Sequence, residues 1–308
     1  MPMLLIEGDY RILNAKPDGD TVRFDPHDAA FWYEIPGTHK IDKTHRNSRG
    51  GANLRLDAID ALETHYLGTG PHEVHQPLDL GAHAARDELL SWLGFTTVQH
   101  AGEKVTASTP ESVPGFILAS AIDVHSRCVA LAGRGAPPAG KKSGDWITVD
   151  VPLLRTTANH HLLALGLVFP TFYANLFPDL RTELTAVSQQ ARSAGLGVWA
   201  KDMTTTGAAI TGLSSLTDEL VLLPKLFRRL ADHLRFAPDA SLDCFPSYLF
   251  GGADRFRVLS QGPTAKTHRP APRGRGQRRD GTHDPPDRGP GLRRGMTRPD
   301  ATACPARS

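Results

Sequence analysis

Arg55, Asp60 and Glu63 stand within nine residues of one another in Leu54-Arg55-Leu56-Asp57-Ala58-Ile59-Asp60-Ala61-Leu62-Glu63-Thr64. Together they are what cutting a phosphodiester needs: a guanidinium to hold the phosphate, a carboxylate hard enough for a metal ion, and a general base. The stretch reads as the end of an apolar-rich strand. On a regular strand Arg55, Asp57 and Ile59 share one face, and Leu56, Ala58 and Asp60 share the other. The alternation then breaks and leaves Asp60 and Glu63 at the strand end, where carboxylates can turn into a cleft. The same residue types also suit a solvated strand end with ordinary surface charges, so the remaining chain has to decide.

Further segments bear on the choice. Asp18-Gly19-Asp20-Thr21-Val22-Arg23-Phe24 opens a strand with an Asp-Gly turn. Asp123-Val124-His125-Ser126-Arg127 carries an arginine into the apolar run that starts at Cys128. Asn159-His160-His161-Leu162-Leu163-Ala164-Leu165-Gly166-Leu167 and Ala191-Arg192-Ser193-Ala194-Gly195-Leu196-Gly197-Val198-Trp199 follow. Taken in this order, the segments resemble the thermonuclease (staphylococcal nuclease-like) family. Its pattern is a DGDT turn, an R-x-x-x-x-D-x-x-E strand end, a G-R strand start, an N-x-x-L-x-x-x-G-L helix and a terminal A-x-x-x-x-x-G-[IVL]-W helix. The resemblance covers roughly residues 10 to 204.

The resemblance implies roles. Asp20 and Asp60 would bind one calcium ion, with the backbone carbonyl of Ala61 as third ligand. Two carboxylates make a weak site, toward ~10⁻⁴–10⁻³ M on the trend of calcium affinity with ligand charge. Other divalent metals are open. Glu63 would be the general base, and Arg55 and Arg127 would hold the phosphate and stabilise the transition state. Phe172 and Tyr173 stand where the family often has aromatics against the nucleotide base. The chain departs from the pattern at Leu62, where proline is common, and at His125-Ser126, where tyrosine-glycine is usual. The connection near residues 101 to 114 is longer than expected.

Composition bounds the partners. The net charge of +2 hides a basic tail: residues 263–308 hold 11 Lys+Arg against 4 Asp, leaving 24 against 29 in the rest. An acidic body excludes broad electrostatic capture of nucleic acid and puts the weight on local cations, Arg55 and Arg127. The tail has eight prolines and six glycines and is expected to be disordered. No apolar run is long enough for a membrane span, and Met1–Glu7 does not read as a signal peptide. Cys128, Cys244 and Cys304 are odd in number and far apart, which argues against a disulfide framework and for a reducing cytoplasm.

These residues need a frame to hold them. Strands are expected at 10–15, 21–24, 52–59, 95–100, 115–122, 127–133 and 146–149, and helices at 79–93, 153–165 and 178–194. Residues 25–51 read as an insertion, a mobile loop or extended hairpin. The fold class is α+β: an OB-like five-stranded β-barrel with packed helices, a C-terminal helical accessory segment and a disordered basic tail. The expected divisions are 1–204, 205–262 and 263–308. Leu213–Leu234 has Leu216, Leu220, Leu223, Leu226, Phe227 and Leu230 on one stripe and reads as a core-packing helix without chemistry of its own.

Two other patterns carry less. Gly135-Ala136-Pro137-Pro138-Ala139-Gly140-Lys141-Lys142 nearly matches a phosphate-binding loop but lacks the final Ser/Thr and the following helix. His65, His72, His75 and His83 crowd one region without the spacing of a zinc helix. The expectation is a calcium-dependent nuclease, monomeric, acting on DNA or RNA. The alternative is a catalytically weak or inactive nuclease-like module that binds nucleic acid or protein.

Overall fold

Apolar runs separated by tight turns fold into a closed barrel, seen here in a computed structural model that describes residues 2–173, 176–236, 242–251, 256–257 and 267–268. The strands are β1 (Pro2–Tyr10), β2 (Thr21–Pro26), β3 (Ala52–Leu56), β4 (Ile59–Asp60), β5 (Thr97–Ala101), β6 (Lys104–Thr109), β7 (Val113–Ile122), β8 (Cys128–Arg134), β9 (Trp146–Thr148) and β10 (Phe169–Pro170). The helices are α1 (His83–Leu93), α2 (Val151–Leu154), α3 (Ala158–Ala164), α4 (Pro178–Ser193), α5 (Pro224–Phe236) and α6 (Phe245–Gly251).

Strand order in the main sheet is β2-β3-β8-β7-β1-β9, and a β1–β2 pairing closes the first five into a barrel, with β9 on the outer edge of β1. The closing register is Gly8↔Pro26, Asp9↔Asp25 and Tyr10↔Phe24. β3 and β8 run parallel, with Arg55 beside Val129. A five-stranded closed barrel with packed helices is the expected OB-like α+β architecture. Met3, Leu4, Leu5, Ile6, Tyr10, Phe24, Leu54, Ile117, Leu118 and Leu131 fill its core. No helix among the described residues is long and apolar enough to cross a membrane.

Several expected elements lie elsewhere. The first strand is Pro2–Tyr10, not residues 10–15. Its apolar run Met3–Ile6 is buried on both faces, and such a run has no alternation to announce a strand. Residues 27–51 are neither a hairpin nor loosely held. They make short turns at Ala29–Tyr33 and Lys43–His45 and bury Trp32, Ile35 and Ile41. The long connection near 101–114 contains β6, which pairs with β5 as a separate hairpin outside the barrel. The helix expected over 153–165 is two, because the Thr157 side chain caps α3 and breaks the run. Pro224 splits the helix expected over Leu213–Leu234: Ser215–Glu219 forms a single π-turn, and α5 starts at the proline.

The chain divides into two units, Met1–Asp232 and His233–Ser308. In the second, the His233 ring packs against Phe245 and Tyr248. Phe256–Arg257 pairs antiparallel with Thr267–His268. The rest of the expected basic tail lies outside the described residues. Cys128 is a buried free thiol, whereas Cys244 is disulfide-bonded, against the reading from cysteine spacing.

Candidate active site

Three tight backbone features bring the charged residues of the strand end together. The first is the Asp18–Thr21 turn, in which the Asp18 amide donates to the Thr21 carbonyl at 2.8 Å. Gly19 lies so close to its neighbours that a Cβ there would sit 2.6 Å from the Cβ atoms of Ala61 and Ala85. Only glycine lets this turn dock and aim Asp20 inward. The second is the Asp57-Ala58 turn, where Ala58 adopts a left-handed φ of 67°. A continuous strand would put Arg55 and Asp60 on opposite faces. The turn resets the alternation, and Asp60 returns to the side of Arg55.

The third feature supports the second from behind. Buried Asn159 donates to the carbonyl of Asp57 at 2.8 Å and accepts from the amide of Ala132 at 3.0 Å, tying the turn to β8. β10 pairs with β4, with Phe169 opposite Asp60. Behind β10, Gly166 and Gly197 meet: the Val198 amide donates to the Gly166 carbonyl at 2.9 Å, and Trp199 packs edge-on to Phe169. The asparagine and glycine-tryptophan motifs therefore brace the strand end that carries Asp60.

The resulting cluster is dense. Arg55 bridges Asp20 and Asp60, with Nη1 2.6 Å from Asp20 Oδ2 and Nη2 2.7 Å from Asp60 Oδ1. Asp20 Oδ2 also accepts from the Ala61 amide at 2.9 Å, and its Oδ1 accepts from the Thr21 hydroxyl at 3.0 Å. Asp18 lies beneath, accepting from the Gly19 amide at 2.8 Å and the Thr64 amide at 3.4 Å. Glu63 completes the group on the outer side.

Glu63 has a partner that the sequence did not announce. Arg228, on α5, pairs with Glu63 through Nη1 and with Asp60 Oδ2 through Nη2 at 3.0 Å. The segment expected to lack chemistry therefore supplies a site residue. An amphipathic stripe reveals which face of a helix is buried, but not where the edge of that face lands, so periodicity could not find it. Buried Gln76 links the same parts: its Oε1 accepts from the Glu63 amide at 3.2 Å and its Nε2 donates to the Leu222 carbonyl at 2.8 Å.

The other expected residues sit at the margin. Arg127 spends its Nε–H on Asp123 at 2.8 Å, and its Nη1 lies 3.4 Å from Thr21 Oγ1. It reaches the cluster through Thr21 rather than by an ion pair with Asp20, Asp60 or Glu63. Phe172 is half-buried and packed on the barrel core. Tyr173 is 60% exposed.

Burial and charge explain the electrostatics. Four carboxylates, Asp18, Asp20, Asp60 and Glu63, face two guanidinium groups, Arg55 and Arg228. Burial, with Asp20 and Asp60 alongside, pushes Glu63 up to about 7, while Arg228 pulls it back. Burial, then Glu63 and Asp20, hold Asp18 well above the usual carboxylate range. Burial disfavours the charge on Arg55 and on Arg228, but the paired carboxylates outweigh it and hold both guanidiniums more firmly protonated than usual.

Hard oxygens from Asp20 and Asp60 suit calcium in kind. With all four carboxylates ionised, the surplus of two negative charges equals the charge of one divalent ion. Both oxygens of Asp60, however, are engaged by guanidinium groups. Among the described residues, no three His, Cys, Asp or Glu side chains are gathered to enclose a metal by themselves. Of the four clustered histidines, His65 Nδ1 lies 2.8 Å from the Thr64 hydroxyl and His83 Nε2 lies 3.0 Å from Glu103. Compared with known proteins, the chain matches no family model and no curated protein.

Proposed function

We propose that this site hydrolyses a nucleic-acid phosphodiester, with Glu63 as general base. The observation that carries the reading is the convergence of Asp20, Arg55, Asp60 and Glu63 on one buried point, from a turn, a strand and a strand end of the barrel. Glu63, raised toward neutrality, can take the proton of an attacking water. Arg55, paired with Asp20, and Arg127, against the Thr21 hydroxyl, offer donors to phosphoryl oxygens. As the water oxygen bonds to phosphorus, the opposite P–O bond breaks in line. Calcium, when bound at Asp20 and Asp60, would polarise a phosphoryl oxygen. Exposed Tyr173 is available to stack on a base.

A second reading has its own support. Arg228 ties down both Asp60 and Glu63, which suits a module of this type that holds nucleic acid without turning it over. The test is incubation of the purified chain with DNA and with RNA, with calcium or with EDTA. Cleavage that drops by ~10²–10⁴ in Glu63→Gln supports hydrolysis. Binding with no cleavage under any metal condition replaces it with the second reading.

A further inference from the structure

We infer that Arg228 is the resident counter-cation of this site, which a divalent ion must displace from Asp60, so that metal entry and release of Glu63 are one event. A single guanidinium makes both contacts: Nη2 lies 3.0 Å from Asp60 Oδ2 and 3.3 Å from Oδ1, and Nη1 pairs with Glu63. Whatever removes Arg228 from Asp60 therefore also removes it from Glu63. Arg55 cannot be the cation that yields. Its side chain is 10% exposed and gripped by Asp20 and Asp60 together. The Arg228 side chain is 26% exposed and so has a way out on the solvent side.

The helix itself is anchored and the side chain is the moving part. Phe227 and Ala231 are fully buried on either side of Arg228 in the sequence. One turn on, buried Asp232 accepts from the Tyr66 hydroxyl at 2.8 Å and the Thr69 amide at 3.0 Å. These contacts pin α5 to the loop that follows Glu63, while among the described residues the Arg228 side chain is held only through its guanidinium. Arg55 and Arg228 already occupy both oxygens of Asp60, so an incoming cation meets their repulsion and gains Asp60 only as Arg228 leaves it. The consequence for Glu63 as a base rests on the hydrolytic reading; the competition for Asp60 does not.

Calorimetric titration of the full chain with calcium chloride alone, without nucleic acid, tests the competition. Arg228→Gln should bind calcium at least about tenfold more tightly than the wild type, because a paired charge no longer has to be evicted. Adding Asp60→Asn should abolish that gain. Equal affinity in wild type and Arg228→Gln, or a gain that survives Asp60→Asn, overturns the inference. Should Arg228→Gln not fold, Arg228→Lys carries the test. It keeps the helix packing but cannot span two carboxylates, so tighter calcium binding is expected and unchanged binding overturns the idea. Because binding is read without substrate, a lack of cleavage in every variant would defeat the hydrolytic reading and leave this inference standing.

Discussion

Arg55 and Arg86 are both buried arginines gripped by two carboxylates, yet their surroundings differ in kind. Arg86 donates to Asp87 at 2.8 Å and to Glu103 at 2.7 Å, and Glu103 also meets His83 at 3.0 Å. The Asp87 side chain is 59% exposed, so water screens it. One guanidinium faces two carboxylates there, and solvent reaches the carboxylate that is left over. Around Arg55, four carboxylates face two arginines, and Asp60 is wholly buried. The lesson is that buried ion pairs alone do not mark a site. An uncompensated surplus of charge kept away from water does, because it must be met by a proton, a metal or a substrate.

Breaking each arginine's network sharpens this contrast. The largest effect is expected for Arg55→Met, which leaves Asp20 and Asp60 facing each other in the interior. It should cost ~3–5 kcal/mol of stability in urea denaturation. In whatever fraction remains folded, cleavage should fall by at least ~10². Wild-type stability with normal cleavage in this variant would erase the distinction between the two clusters.

The next effect in size is the pH dependence. With Glu63 near 7, cleavage should climb about tenfold per pH unit on the acid side and level off above neutrality. Arg228→Gln should move the midpoint upward, because Arg228 is what lowers Glu63. A flat rate from acid to neutral pH would remove Glu63 from the base role. Stability follows the opposite course. A carboxyl raised on folding binds its proton more tightly in the native state, so its contribution is complete below the unfolded value of 4.5 and is lost as pH rises through about 7. His65, lowered by burial, contributes with the reverse sign, so the quantity to follow is wild type minus Glu63→Gln in urea midpoints between pH 5 and 8. That difference should shrink as pH rises.

The smallest effect belongs to the solvent-screened cluster around Arg86. Glu103→Gln removes a part-buried partner of Arg86 and should cost ~1–3 kcal/mol. Cleavage should stay within about twofold, since nothing in that cluster touches Asp20, Asp60 or Glu63. A folded Glu103→Gln protein with no cleavage would show that the contrast had been drawn in the wrong place.

Much of the site could be read before any coordinates. Arg55, Asp60 and Glu63 stand out by type and spacing, whereas Asp20, Asn159, Gly166, Gly197 and Trp199 stand out only through the family resemblance. Their spacings survive in a linear reading because local geometry enforces them: a two-residue turn at Gly19, a left-handed reset at Ala58, a glycine-to-glycine contact at Gly166. What escaped was non-local or lacked a period. Met3–Ile6 carries no alternation because both its faces are covered. Trp32, Ile35 and Ile41 sit in irregular turns whose burial depends on what packs over them.

The order of residues alone determined which side chains could do chemistry and the short turns that aim them, since a turn's preferences lie within the residues that form it. Only the folded chain decided that α5 would lay Arg228 across Asp60 and Glu63, 168 and 165 positions away, and that Arg127 would reach the cluster by way of Thr21. Contacts at that separation depend on how a whole barrel closes and where a distant helix finds room. No local pattern records either.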